Sequence, residues 1–179
     1  REKAAAQRIR LELDTAEDFG VLVLDPRKTK QIVYNLLANA VKFSASGGRV
    51  ILSARRVDRD VVGTLAGEWP VYGFPLADSE HKQFLELCVS DTGIGISQED
   101  MAKLFQAFSQ IDSSLARKFE GTGLGLAMVK QLAQLHGGSV AVASLVGAGA
   151  RFVVWLPLRD SGQTPRPQVT RATTPWPMY

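Results

Sequence analysis

One cysteine, two histidines and no long apolar run set the first limits on this 179-residue chain. A lone cysteine excludes an internal disulfide and a multi-cysteine zinc site. Cys88 sits in a mostly apolar run and reads as a small buried hydrophobe. No stretch approaches the roughly twenty uninterrupted apolar residues that span a bilayer, and Arg1-Glu2-Lys3 has no apolar core of a signal peptide behind it. These absences predict a soluble, cytoplasmic module with no direct membrane contact, and leave open a parent protein anchored in an inner membrane. A strong charge bias is also missing. Lys and Arg number 21 against 18 Asp and Glu, a net charge of +3. The basic residues are scattered except for Arg55, Arg56 and Arg59, so no nucleic-acid stripe is expected.

What is present is ordinary for a globular domain: 45% hydrophobic and 22% charged residues. Residues 8–14 alternate charged and apolar side chains and predict a strand, followed by a shorter strand over 21–24. Asp25-Pro26 joins an N-cap residue to the proline favoured at the first helical position, and predicts a helix to about Phe43, stopped by Ser46-Gly47-Gly48. Strands are expected over 50–57 and 84–90, with residues 58–83 as a long hairpin connection. Within it Trp69, Tyr72 and Phe74 are read as a self-packed loop in preference to a partner contact. Ser97 with Asp100 three residues on resembles a capping box opening a short helix. Residues 109–120 form a polar segment suited to a mobile lid. A helix follows over 122–136 with Leu124, Met128, Leu132 and Leu135 at helical spacing, then two strands over 139–144 and 150–158. The expected divisions are 1–7 as the exit of an upstream helical domain or a linker, 8–158 as the domain, and 159–179 as a Pro/Thr-rich linker or disordered tail. Strands and helices do not alternate strictly. A two-layer α+β sandwich is therefore predicted, its sheet mixed but largely antiparallel and its helices on one face.

Three constellations carry chemistry. Gln31, Asn35, Asn39 and Lys42 fall on one stripe of the first long helix, with Ile32, Val33, Leu36, Leu37, Ala40 and Val41 around the rest. Carboxamides in such a seam need partners, since an unpaired buried polar group costs about 1–3 kcal/mol. An oxygen-rich ligand such as a magnesium-bound phosphate chain supplies them, and so do neighbouring loops. Two glycine clusters, Asp91-Thr92-Gly93-Ile94-Gly95-Ile96 and Gly121-Thr122-Gly123-Leu124-Gly125-Leu126, let backbone N–H groups approach an anion or a flat ring. The second opens a helix, where the dipole favours phosphate, although glycines also simply make turns. Asp91 ends an apolar strand, where a carboxylate must accept hydrogen bonds.

In this order the parts resemble the catalytic and ATP-binding domain of sensor histidine kinases. Residues 35–43, Asn-Leu-Leu-Ala-Asn-Ala-Val-Lys-Phe, resemble that family's N box, and residues 91–96 its first glycine box. Phe105-Gln106-Ala107-Phe108 is similar to its F box and residues 121–126 to its second glycine box. The resemblance spans about 8–158 and implies the Bergerat ATP-binding fold shared with gyrase B, the heat-shock chaperone ATPase and the mismatch-repair ATPase. It implies that Asn39 ligates Mg²⁺ with Asn35 assisting, and that Asp91 accepts the adenine amino group with Thr122 nearby. It also implies that Lys42 meets phosphate oxygens and Phe43 borders the base or ribose. Gly93 and Gly95 of the first glycine box and Gly121 of the second belong to the implied nucleotide-binding residues, and the backbone N–H groups of Gly123, Leu124 and Gly125 hold the phosphates. ATP and Mg²⁺ are the implied cofactors. Phe105 and Phe108 read as hydrophobic anchors for the lid.

Within that superfamily the hydrolysing members place a glutamate one turn before the magnesium asparagine, where this chain has Asn35. A carboxamide is no general base at neutral pH, so transfer to an external acceptor is favoured over hydrolysis. Arg117 resembles the position from which such kinases reach the γ-phosphate, or is a solvated loop cation. Neither His81 nor His136 has an acceptor context. The expected function is γ-phosphoryl transfer to a histidine on a separate helical dimerisation and phosphoacceptor domain, for relay to a response-regulator receiver domain. The isolated domain is expected to be monomeric and its parent a homodimer. The alternative is a degenerate nucleotide-binding regulatory module without phosphotransfer.

Overall fold

The computed structural model describes residues 2–15, 20–107 and 124–159. A short helix, α1 (Glu2–Ala6), leads into strand β1 (Arg10–Thr15). Helix α2 (Pro26–Phe43) follows, then β2 (Arg49–Asp58), a 3₁₀ turn at Arg59–Val61, β3 (Val71–Gly73) and β4 (Gln83–Asp91). After them come α3 (Gln98–Met101), α4 (Gly125–Leu135), β5 (Ser139–Leu145) and β6 (Gly149–Pro157).

The six strands form one sheet in the order β1-β2-β4-β6-β5-β3. Only β1 and β2 run parallel, with Arg10 opposite Arg49, and every other pairing is antiparallel. This is the mixed, largely antiparallel sheet expected of the sandwich. The residue period of two assigns the faces. Val50, Leu85, Leu87, Val89, Val140, Val142, Phe152, Val154 and Leu156 join Ile32, Val33, Leu36, Val129 and Ala133 from α2 and α4 in the main core. The alternate residues Val57, Phe84, Ala141, Val153 and Trp155 face the other way and form a second cluster with Val61, Val62, Leu65 and Leu76. Buried Glu86 lies on that face, its carboxylate accepting from Nε of Arg55 (2.7 Å) and Nε1 of Trp155 (2.8 Å).

Local signals placed α2 well. Asp25 Oδ1 accepts from the N–H groups of Arg27 (3.0 Å) and Lys28 (3.2 Å), Pro26 stands at the first helical position, and Ser44 Oγ closes the far end on the carbonyl of Ala40 (2.7 Å). Ser97 likewise caps α3, accepting from Asp100 N–H at 3.2 Å.

Three expectations need correction. Residues 21–24 form no strand: Leu22 and Leu24 lean on the core while Val21 and Val23 face solvent. Their alternation records burial without a neighbouring ladder. Residues 58–83 are more than a connection. They supply β3, which pairs with β5 from Val71 opposite Ala143 to Gly73 opposite Ala141. The buried face of α4 is Leu126, Ala127, Val129 and Ala133; Met128 is exposed and Leu135 is 80% exposed. The expected lid over 109–120 and, beyond Arg159, the tail lie outside the described residues.

Candidate functional site

The polar seam of α2 faces α4. Gln31 Nε2 donates to Asn35 Oδ1 (3.2 Å), and Asn35 Nδ2 donates to the carbonyl of Gly125 (3.4 Å), with Met128 Sδ at 3.7 Å. One turn on, Asn39 Nδ2 donates back to the carbonyl of Asn35 (3.1 Å). That bond orients the amide, and Asn39 Oδ1 has no hydrogen-bond partner among the described residues. A hard neutral oxygen left free on a half-buried helix face suits a small oxygen-seeking cation. Gly125 packs closely on this seam, although a Cβ there would meet Asn39 Nδ2 at 3.6 Å and Asn35 at 3.9 Å, ordinary contact distances that do not by themselves require glycine.

At the end of β4, Asp91 is only 6% exposed. One carboxylate oxygen accepts the N–H of Gly93 (2.9 Å). Burial pushes its pKa up to about 6, against the pull of the Gly93 and Ala150 N–H groups. It is thus a buried acid whose charge is incompletely compensated, and an amine donor from a ligand would complete it. The two glycines that follow do different jobs. A Cβ on Gly93 would lie 2.3 Å from the carbonyl oxygen of Phe43, so glycine lets this loop press on the C-terminal end of α2, where Ile94 N–H also meets Phe43 O (3.3 Å). Gly95 has φ +72° and faces the carbonyl of Leu145. Their contribution to the site is its shape.

Lys42 and Phe43 close the seam. The Lys42 ammonium stands 5.2 Å from the Phe43 ring centroid, and partial burial pulls its pKa below the ordinary value. A cation already losing hydration gains most from an anionic ligand. The N-terminus of α4 is the second electropositive feature. Leu124 occupies the cap position without a side-chain hydrogen bond to the first turn, unlike the caps that Asp25 and Ser97 provide for α2 and α3. Among the described residues no side chain caps these first-turn N–H groups, and N–H groups at the positive end of a helix dipole favour an anion.

The structure therefore brings Asn35, Asn39, Lys42, Phe43, Asp91, Gly93, Gly95, Leu124 and Gly125 to one end of the sandwich. Arg117, Gly121, Thr122, Gly123 and Phe108 lie outside the described residues. Phe105 is buried, its ring 5.4 Å from Phe74 and 6.5 Å from Phe152; the lid it is expected to anchor lies outside the described residues. Sequence reasoning places a turn containing Gly147 and Gly149 between the last two strands but misses its contact with the site. Ser144 Oγ accepts the N–H of Ile96 (2.8 Å) and donates to Gly149 O (2.6 Å), and Gly147 N–H bonds Ile94 O (2.8 Å). This turn clamps the first glycine cluster from below. Only its glycines hinted at it. Two cavities lie elsewhere. One of about 760 Å³ sits at the N-terminal end of α2 beside His81, His136 and Arg159, and one of about 460 Å³ on the open sheet face beside Arg55, Cys88 and Arg151. Neither touches the seam.

A mixed sheet under two helices, a carboxamide seam, a buried strand-end acid and a helix N-terminus facing that seam define an ATP-binding domain of the two-layer sandwich class. Residues 24–160 match the family of histidine kinase-, DNA gyrase B-, and HSP90-like ATPases, and the chain belongs to it. The circadian input-output histidine kinase CikA of Synechococcus elongatus is 42% identical over 158 residues, covering 87% of this chain and 18% of that protein. Histidine protein kinase DivJ of Caulobacter vibrioides is 36% identical over 165 residues, 87% of this chain and 24% of that protein. Among solved structures, a mycobacterial sensor histidine kinase, MprB, superposes with a TM-score of 0.63 at 27% identity, covering 88% of this chain and 90% of that one. Full-length ShkA in complex with AMPPNP gives 0.63 at 28% identity, over 88% of this chain and 27% of that one. Within the family this chain is an ATP-binding catalytic domain of the histidine kinase type. It spans less than a third of the length of CikA and DivJ.

Proposed function

We propose that this domain binds MgATP where α2, β4 and α4 meet, and transfers the γ-phosphoryl group to a histidine on a helical dimerisation and phosphoacceptor domain of its parent. An aspartate on a response-regulator receiver domain then takes the group. Asp91 accepts the adenine amino group with Thr122 nearby; Phe43 flanks the base or ribose; Lys42 and the backbone N–H groups of Gly123, Leu124 and Gly125 meet the phosphates; Arg117 reaches the γ-phosphate. Asn39, with Asn35 beside it, would hold Mg²⁺, which keeps most of its coordination for phosphate and water and supplies charge neutralisation. The free Oδ1 of Asn39 fits that demand.

The observation that carries phosphotransfer over hydrolysis is the seam itself, where Asn35 offers a carboxamide bound to Gly125 and no carboxylate. Without a base beside the phosphates, water is not activated. An imidazole nitrogen of the acceptor attacks the γ-phosphorus, the bond to the β–γ bridging oxygen breaks, and ADP leaves. This chain's residues act by positioning and by countering charge. In the parent, residues 1–7 would leave the helical domain and 159–179 would form a linker. The domain itself is monomeric, cytoplasmic and free of nucleic acid, and its parent is a homodimer. Among the described residues no helix is long and apolar enough to cross a membrane.

The test is labelling. Incubated alone with γ-labelled ATP and magnesium, the chain should take up almost no phosphate; adding the parent's helical domain should produce acid-labile, base-stable label on that partner. MgATP binding without transfer would make it a degenerate regulatory module. Strong label on His81 or His136, located by mass spectrometry, would overturn the reading of a catalytic half separated from its acceptor.

A further inference from the structure

The connection between β2 and β4 touches both layers of the molecule. Val61, Val62, Leu65 and Leu76 pack on the open face around Trp155, while Tyr72 and Phe74 lean on the main core beneath the helices. Phe74 is the most tightly held of these residues. Its N–H donates to Val140 O (3.1 Å), and its carbonyl accepts from the hydroxyl of buried Ser139 (2.5 Å). Its ring meets three others' side chains. Tyr72 stands edge-on at 5.5 Å, Phe105 edge-on at 5.4 Å, and the Lys130 ammonium sits 4.3 Å from the centroid. Among the described residues no carboxylate pairs with Lys130.

Those contacts have a particular placement. Phe105 belongs to the loop after α3, and Lys130 to α4, whose first turn carries the Gly125 carbonyl that Asn35 binds. Lys130 lies about one and a half turns beyond Gly125, on a rigid helix. Whatever fixes Lys130 therefore fixes how far the N-terminal end of α4 stands from Asn35 and Asn39. The adenine end of the site, at Asp91, is built separately from β4, β6 and the β5–β6 turn. The ring contacts of Phe74, to Tyr72, Phe105 and Lys130, include none of those elements directly.

We propose that Phe74 is a positioning residue for the nucleotide site: from the β2–β4 connection its ring fixes α4 and the Phe105 loop against each other, and so sets the phosphate end of the site. The inference rests on the nucleotide reading above. Edge-to-face and cation–π contacts are directional, so the role requires an aromatic ring and not merely apolar volume. Simple core packing would be served by leucine.

Calorimetry on the whole 179-residue chain separates these cases, with MgATP and adenosine as probes. Phe74→Leu should weaken MgATP binding about three- to tenfold, the size expected from losing the Phe105 aromatic pair and the Lys130 cation–π contact, the two of its three ring contacts that bear on the site. Adenosine affinity should stay within about twofold, and Phe74→Tyr should restore MgATP binding. Lys130→Met should shift MgATP in the same direction, and decides the matter if Phe74→Leu fails to fold. Unchanged MgATP affinity in Phe74→Leu, or proportional loss of both ligands, would overturn the proposal. Failure of the unsubstituted chain to bind MgATP would instead sink the nucleotide reading itself.

Discussion

The N–H of Gly93 donates to the carboxylate of Asp91 at 2.9 Å, across a turn that only a glycine can bring against the carbonyl of Phe43. This bond and the Ala150 N–H lower the Asp91 pKa but lose to burial, which leaves it near 6. The folded, ligand-free domain thus holds the Asp91 proton to a higher pH than the unfolded chain does, though at pH 7 the carboxylate is still mostly ionised. With the unfolded value near 3.8, this group's contribution to stability is full below about pH 4 and is lost as pH rises through about 6. Asp91→Asn should therefore raise the stability of the ligand-free protein at pH 7 by roughly 1–3 kcal/mol, and flatten its pH dependence between 4 and 6. The same change should cost roughly 1.5–3 kcal/mol of ATP binding, as for a charge-assisted hydrogen bond. Urea titrations across pH and calorimetry with ATP check both halves. A destabilised mutant with normal affinity would take Asp91 out of the site.

Asn39 separates metal from base. Asn39→Ala removes the free Oδ1 while also deleting the bond to Asn35 O. MgATP affinity should fall about tenfold or more, and adenosine affinity should hardly change, since in the proposed site the lost oxygen would act at the phosphates. Titration of both ligands, with and without magnesium, reads this directly. Equal losses would point to a folding defect.

Much of this was legible because its signals are local. Asp25-Pro26 and the stop after Phe43 bound α2 from neighbouring residues alone, and the Asn35/Asn39 stripe needs only the helical period. What failed was non-local. β3 is three residues whose partner, β5, lies about seventy residues on, and no periodicity shows in so short a strand. Helical spacing of Leu124, Met128, Leu132 and Leu135 does not mark the buried face of α4, because alanines at 127 and 133 carry it beside Leu126 and Val129, while Leu132 only leans on the core and Met128 and Leu135 face outward. Residue type marked the glycine clusters, but not that Gly93 answers to Phe43 and Gly95 to Leu145. Those contacts depend on how distant segments meet.

Gly95 gives a test of that last point. Its φ of +72° is strained for any other residue, and a Cβ would lie 2.1 Å from the Leu145 carbonyl oxygen. Gly47 has a similar φ of +81° with nothing within 4 Å. Gly47→Ala should then cost only the backbone term, about 1 kcal/mol, whereas Gly95→Ala adds a backbone clash and should cost about 2–3 kcal/mol or more. Urea midpoints of the two variants give the comparison. Equal losses would mean that the β5–β6 turn yields freely and does not clamp the first glycine cluster.

Asn35→Glu is the substitution that would seem to convert this kinase-type seam into a hydrolytic one. The geometry predicts otherwise. Asn35 Nδ2 is a donor to the Gly125 carbonyl, and its Oδ1 accepts from Gln31. A glutamate keeps the acceptor but turns a donor into a second anionic oxygen facing a carbonyl, at the seam where phosphates would bring further negative charge. The contact between α2 and the first turn of α4 should loosen, and MgATP affinity should fall about tenfold, the scale of one lost charge-assisted contact. Background hydrolysis should not rise, because a base helps only if a water and the γ-phosphate are held beside it. Asn35→Asp places the charge nearer the helix and serves as a second variant. Phosphate release at saturating ATP, measured alongside affinity, is the check. A clear gain in hydrolysis with affinity intact would show that only the missing carboxylate separates this domain from an ATPase.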